Sequence, residues 1–324
     1  MTPGLLGVLV MVAVYFVVSS TLSLLVAAAL PRLEGAPLRG LPRRRAAALF
    51  ALALAPAASG LLAMLAVALP AWVRHEPRGG GELPGPALVV LAGAGLALGA
   101  LRLGVALRDH LRTKRLVSGW TSAGRDLPGL PLPATRVPCD FPLAAVFGMW
   151  RPHLLLSDTL LRGLTVAETR AVVEHELAHA GARENLRRFV LRASPDLLAL
   201  LPAGGRLRSR FDEASEEAAD HAASAHVSPL LLAQALLKTA ALVPPGPGLD
   251  LSFAAFHREG GIAVRVLALL HPSADNTSDR ERRRGLPSSM GMSVALLVGF
   301  LLALGQASGP TVHRVLERLV HLFA

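Results

Sequence analysis

The chain contains one cysteine, Cys139, one tyrosine, Tyr15, and charged side chains at only 17% of its 324 positions. A lone cysteine excludes an internal disulfide and, without C-x-x-C spacing, a thiolate zinc site, so Cys139 reads as a small core residue. The scarcity of charge, beside 52% hydrophobic residues and a mean hydropathy of +0.47, excludes an ordinary soluble domain of this length. The composition is that of a membrane protein. Its formal net charge of +10 is almost all arginine. These arginines cluster beside apolar runs, a pattern of membrane orientation and not of direct nucleic-acid contact.

Four apolar runs carry the organisation. Leu5 to Leu30 is long enough to cross a bilayer and is expected to end at Pro31. It lacks a basic segment before it and exceeds a signal-peptide core, so it reads as a retained span despite Ala27-Ala28-Ala29. Further spans are expected at about Ala46 to Val73, about Gly85 to Ala106, and about Met290 to Ala307. Gly95 and Gly99 in the third have the small-x-x-x-small spacing that lets helices approach closely. Arg39, Arg43, Arg44 and Arg45 follow the first span, Arg108, Arg112, Lys114 and Arg115 follow the third, and Arg280, Arg282, Arg283 and Arg284 precede the fourth. The positive-inside rule then puts the N-terminus outside and the segment between spans three and four in the cytoplasm. The expected organisation is a three-helix membrane region over 1–108, a cytoplasmic domain over 109–287, and a closing helix with a short extracytoplasmic tail over 288–324. That tail is too short for a folded extracellular sensor.

Within 109–287 stands His175-Glu176-Leu177-Ala178-His179, an H-E-x-x-H run. Thr165-Val166-Ala167-Glu168 before it has the form of a capping box, and good helix formers follow. Two histidines four apart on one helix face can converge on a single cation, with Glu176 placed against a water at that cation. Upstream, Arg136 to Cys139, Ala144 to Phe147 and His153 to Leu156 read as a small β-sheet or hairpin against this helix. Its edge offers backbone hydrogen bonds to an extended peptide. Asp158 to Arg162 reads as a short helix stopped by Gly163.

Two histidines leave a zinc ion one protein ligand short. A metzincin continuation needs Gly at 182 and His at 185, where this chain has Ala182 and Asn185, which excludes that class. The acidic run Asp212-Glu213-Ala214-Ser215-Glu216-Glu217-Ala218-Ala219-Asp220 offers a glutamate from a second helix instead. Glu216 and Asp220 share a face, so one can bind metal while the other takes the N–H of a ligand imidazole. Glu216 is the preferred ligand, with Glu213 and Glu217 as alternatives if the helix phase differs by a residue.

The runs Phe147-Gly148-Met149-Trp150-Arg151-Pro152-His153-Leu154-Leu155-Leu156-Ser157 and Glu168 to His179, with Glu216-x-x-Ala219-Asp220, resemble the BlaR/MecR-type integral-membrane zinc metallopeptidases, the β-lactam receptor peptidases. The resemblance covers the chain from about Phe147 through the fourth span. It implies a mainly α, polytopic protein of a bacterial inner membrane, with about four transmembrane helices and a cytoplasmic gluzincin domain. Carried over by motif, His175, His179 and Glu216 are Zn2+ ligands, Glu176 is the general base and Asp220 orients a ligand imidazole. The implied partner is a BlaI/MecI-like transcriptional repressor, cleaved on activation. Two features depart from the family: Glu184 stands after Arg183 where the family has Asp, and the penicillin-binding sensor is missing, so β-lactam sensing does not transfer. Leu270-His271-Pro272-Ser273 and the Arg-rich run after it are also similar to the HtpX and CAAX-prenyl-protease group.

The expected function is therefore hydrolysis of peptide bonds in a cytoplasmic or membrane-proximal protein, in signal-responsive repressor inactivation. The alternatives are a quality-control peptidase of the HtpX/CAAX kind and a non-catalytic membrane signal transducer. A transducer has no chemical need for Glu176, which favours the enzyme. Because Tyr15 lies in the first span, the oxyanion must be met by His221, His226, an arginine or the zinc itself.

Overall fold

Three of the four apolar runs are long helices in a computed structural model, which describes residues 3–35, 41–75, 83–243 and 259–271. The first is α1 (Pro3–Gly35). The second starts as α2 (Pro42–Leu62), passes through a π-helical turn at Ala63–Ala68 and continues as α3 (Leu69–His75). The third is α4 (Pro86–Ser122). All three rods are long and apolar enough to cross a membrane. The expected fourth span and the tail after it lie outside the described residues.

Two boundaries differ from expectation. α1 does not stop at Pro31 but runs to Gly35, because a proline near a helix end forfeits a single hydrogen bond. α4 runs through residue 108, the expected domain boundary, and on to Ser122. No proline or glycine interrupts the chain between Ala106 and Val117, and Leu, Arg and Lys in that stretch are good helix formers. One rigid rod thus joins the apolar bundle to the domain beyond it.

Within the bundle, Leu6, Val10 and Ala13 of α1 pack with Ala68, Ala71, Leu88 and Ala92. At the other end Val26 and Leu30 pack with Ala46, Leu49 and Ala53. α2 therefore runs antiparallel to α1, and α4 runs parallel to it. A Cβ added at Gly95 would lie 3.0 Å from Val12 Cγ1 and 3.1 Å from Phe16 Cβ, so the small-residue spacing does serve helix approach at this position.

Among the described residues, the rest of the chain holds a four-stranded mixed sheet and six helices. β1 (Arg125–Asp126), β2 (Ala134–Val137), β3 (Ala144–Phe147) and β4 (His153–Ser157) stand in the order β1-β2-β4-β3. β2 and β4 are parallel, and the other two pairings are antiparallel. The expected strands at Ala144 to Phe147 and His153 to Leu156 are β3 and β4, while the one expected at Arg136 to Cys139 lies two residues earlier as β2, because Pro138 has no N–H for a ladder. β1, an exposed two-residue pair, has no pattern of its own to announce it. After β4, the Ser157 hydroxyl accepts from Leu160 N at 3.1 Å and starts α5 (Asp158–Gly163).

The capping box forms as the sequence implies and starts α6 (Val166–Gly181). Thr165 N donates to Glu168 Oε2 at 2.8 Å, and Glu168 N donates back to Thr165 Oγ1 at 3.3 Å. Then come α7 (Glu184–Ala193), a 3-10 turn at Leu197–Leu200, α8 (Pro202–Ala223), α9 (Pro229–Ala241) and α10 (Glu259–Leu270). Leu154, Leu156, Leu160, Val172, Leu232 and Leu236 form the core between sheet, α6 and α9, each contributing about 1.5–3 kcal/mol of burial. α8 has a second support, since Leu207, Phe211 and Ala214 pack against Leu49 and Ala53 of α2. The helix that carries the acidic run therefore rests directly on one of the three long apolar rods.

Candidate metal centre

α6 brings the two histidines together. One helical turn apart, His175 Nε2 and His179 Nε2 face each other at 3.0 Å. Two ring nitrogens so placed share either one proton or one cation. α8 crosses them and fixes the helix phase that the sequence leaves open. Glu216 Oε2 is 3.5 Å from His175 Nε2, and Glu216 Oε1 is 3.7 Å from His179 Nε2. Glu213 is exposed and accepts from Ser209 Oγ at 3.4 Å, and Glu217 pairs with Arg45 of α2 at 2.6 Å. Neither alternative glutamate meets the histidine pair.

The opposite ring nitrogens are held by carboxylates. His175 Nδ1 lies 2.9 Å from Asp220 Oδ1, which is where the sequence puts Asp220. His179 Nδ1 lies 2.8 Å from Glu184 Oε2, a partner that sequence reasoning missed. The sequence marks Glu184 only as an acid five residues after His179, at a position where the resembled family has Asp, and assigns it no contact with the ring. It comes back to the ring because Arg183 takes a left-handed conformation, φ 51°, and turns the chain from α6 into α7. With a carboxylate oxygen within 2.9 Å of each Nδ1, both Nε2 atoms are left to face one centre.

Arg265 is the second residue missed. Its Nε and Nη2 each lie 2.7 Å from an Asp220 oxygen, and its Nη1 lies 3.0 Å from Glu216 Oε2. It arrives from α10, 45 positions after Asp220, a distance that no local pattern spans. Arg188 of α7 is the third, with Nε 3.2 Å from Asp212 Oδ1 and Nη2 3.4 Å from Glu184 Oε2 and 3.9 Å from Glu216 Oε1. Of the candidates named for the oxyanion, arginine is the type found at the centre, in Arg188 and Arg265.

Burial pushes the Glu176 carboxyl upward, only partly opposed by His179 and His175, and leaves it above the usual carboxylate range. Burial acts the same way on Glu216, but hydrogen bonding to His175 and the charges of His179 and Arg265 win and hold it below that range. One buried glutamate is thus poised to take a proton while its neighbour stays ionised. For His175, burial is outweighed by hydrogen bonds to Asp220 and Glu216, and its pKa rises to about 9.

Three observations test whether these residues fit a divalent metal ion. The ligand atoms of His175, His179 and Glu216 all lie within 4.8 Å of one another, and their separations of 3.0–3.7 Å bracket the ~3.4 Å edge of a tetrahedron with zinc-type bonds. Glu216 Oε1 is buried without a hydrogen bond, with His179 Nε2 at 3.7 Å and Arg188 Nη2 at 3.9 Å, a position that costs free energy unless a cation comes closer. Lastly, Glu176, Glu184, Glu216 and Asp220 gather around Arg188 and Arg265, a concentration of carboxylates at a nearly closed site. The donor set of two imidazoles and a carboxylate suits Zn2+.

β3 borders this centre. It pairs with β4 on one side; on the other, the Val146 carbonyl accepts from Asn185 Nδ2 at 2.8 Å, and the Val146 backbone hydrogen-bonds Glu176. At Val146, then, the edge that the sequence suggests for peptide binding is already engaged by α6 and α7. Compared with protein-family models the chain matches none, and it matches no curated protein either.

Proposed function

We propose that this protein is a membrane-bound zinc metalloendopeptidase of the gluzincin type. The observation that carries the reading is the convergence of His175, His179 and Glu216 with the buried Glu176 on the same helix as the histidines. The metal, when bound, supplies the electrophile that polarises a peptide carbonyl and acidifies water. Glu176 takes the proton of the attacking water and passes it to the leaving amine nitrogen, a role for which its raised pKa suits it. Asp220 and Glu184 fix the two imidazoles, and Arg265 fixes Asp220 and Glu216. The contact between α8 and α2 favours a membrane-proximal protein segment as substrate.

The resemblance to BlaR/MecR-type peptidases extends the proposal to a fourth span, a bacterial inner membrane, a cytoplasmic centre and a repressor of the BlaI/MecI type as substrate. A quality-control peptidase of the HtpX/CAAX kind uses the same chemistry. It has one observation in its favour, since the helix that delivers Arg265 leads directly into Leu270-His271-Pro272.

The test is metal analysis and proteolysis with purified full-length protein. The proposal expects one zinc per chain, retained in Glu176→Gln, with proteolysis lost in that variant. Normal cleavage by Glu176→Gln removes the assigned base, and an absence of bound metal in the wild type removes the class.

A further inference from the structure

α7, the 3-10 turn and α8 form a helical hairpin whose position along the bundle can be read from its contacts. At one level Glu217 of α8 pairs with Arg45, in the arginine cluster that opens α2. From Glu217 back to Pro202 is fifteen residues of unbroken helix, or ~22 Å. That length lies against α2 and ends beside the first helix, because the 3-10 turn packs on α1. On the third rod, Gly99 is the residue that Pro195 approaches, with an ideal Gly99 Cβ 3.7 Å from Pro195 Cβ. Gly99 lies one helical turn beyond Gly95, which touches Val12 and Phe16 just before the middle of α1. The hairpin tip is therefore near mid-height of the apolar bundle, ~20 Å along α4 from the arginines at 112 and 115.

The chemistry of the tip suits that depth. Irregular backbone in a bilayer must have its polar groups satisfied by protein. Arg102, buried on α4, donates from Nη2 to Leu191 O at 2.9 Å and from Nε to Ser194 O at 3.3 Å, closing the carbonyl end of α7. Asp196 Oδ1 accepts from Ala199 N at 3.3 Å, and Arg208 Nη2 donates to Ala199 O at 3.4 Å. Leu200, by contrast, is 57% exposed at the tip, and on α4 the leucines on either side of Gly99, Leu96 at 53% and Leu103 at 47%, are exposed too. Apolar surface continuous with the outer face of a membrane-spanning rod is covered in a cell by what covers that rod.

We infer that α7 and α8 form a re-entrant hairpin, inserted about halfway into the bilayer that α1, α2 and α4 cross, with acyl chains against Leu200. The His175–Glu216 centre then sits at the level of the membrane face and not in a domain held away from it. This placement follows from the three spans and the packing, and it stands whether or not the centre is a peptidase.

Collision accessibility of spin labels in full-length protein, reconstituted in phosphatidylcholine–phosphatidylglycerol nanodiscs, tests it. Cys139 is the one native cysteine, so Cys139→Ala gives a clean background. Labels are placed at Leu200→Cys and, as a second tip position, Leu197→Cys. Val90→Cys on α4, exposed at 68%, serves as the lipid reference, and Val166→Cys, exposed at 90%, as the water reference. The inference expects Leu200 and Leu197 labels to relax with oxygen over a water-soluble nickel chelate in the same ratio as Val90. If the Leu200 label matches Val166 instead, the tip is in water and the hairpin is not re-entrant. If Leu200→Cys fails to fold, the Leu197 label decides by the same criterion.

Discussion

His179 Nδ1 is held 2.8 Å from Glu184 Oε2 across the left-handed turn at Arg183. The carboxylate that aims one metal-facing imidazole thus belongs to the first turn of the next helix, and the histidine's geometry depends on how the two helices join.

Removing that carboxylate leaves His179 free to rotate and to donate from the wrong nitrogen. Glu184→Ala is expected to weaken zinc binding by about 10- to 100-fold, the usual cost of losing such a partner, with Glu184→Gln intermediate. Competition against a chelator of known affinity measures it. Unchanged affinity in Glu184→Ala means that α6 alone holds the ring.

Arg183 occupies a region of backbone space that disfavours residues with a Cβ by about 1–2 kcal/mol. Arg183→Gly is therefore expected to leave the melting temperature unchanged or raise it, whereas the β-branched Arg183→Val lowers it. A fall on glycine substitution would show that the side chain, and not the turn, matters there.

Arg265 binds Asp220 through two nitrogens and reaches Glu216 with the third. Arg265→Met leaves two buried carboxylates without their cation, and loss of one partner of a buried pair costs about 3–5 kcal/mol. Denaturant unfolding of the metal-loaded protein should show that loss. Arg265→Lys, which cannot reproduce the fork, should recover less than half of it. A methionine variant as stable as wild type would mean that α10 does not brace the centre.

Lys238 of α9 reaches Glu168 of α6, Nζ to Oε1 at 2.7 Å. The hydrogen bond from Lys238, then those from the Thr165 backbone and hydroxyl, outweigh burial and hold the Glu168 carboxyl below its ordinary value. A depressed carboxylate adds stability that is fully present above the ordinary value, near pH 4.3, and is lost as pH falls through the depressed one. Between wild type and Glu168→Gln, the difference in melting temperature should therefore be constant near neutrality and shrink below about pH 4. A difference that is independent of pH throughout would assign the effect to the loss of shape at the cap.

Much of this was legible because it is local. Three long apolar runs without charge form rods long enough to cross a membrane, Thr165 and Glu168 close a capping box within four residues, and His175 and His179 share a face by helical period alone. Asp220 follows from Glu216 by the same rule. The residues that were not legible act across chain separation. Nothing near Glu184 signals that a left-handed residue will return it to His179, and Arg265 lies in an apolar helix whose sequence gives no hint of Asp220. The choice among Glu213, Glu216 and Glu217 needs the rotation of α8, which is set by Phe211 and Leu207 packing on α2.

The sequence by itself determined the three apolar rods, the start of α6 and the spacing of its imidazoles, since each depends on interactions spanning a turn or on transfer of a continuous run out of water. Tertiary structure alone decided which glutamate joins the histidines, which acids and arginines surround them, and how deep α7 and α8 reach along the bundle. Those outcomes depend on the docking of one helix upon another, where a rotation by one residue exchanges an inward carboxylate for an outward one.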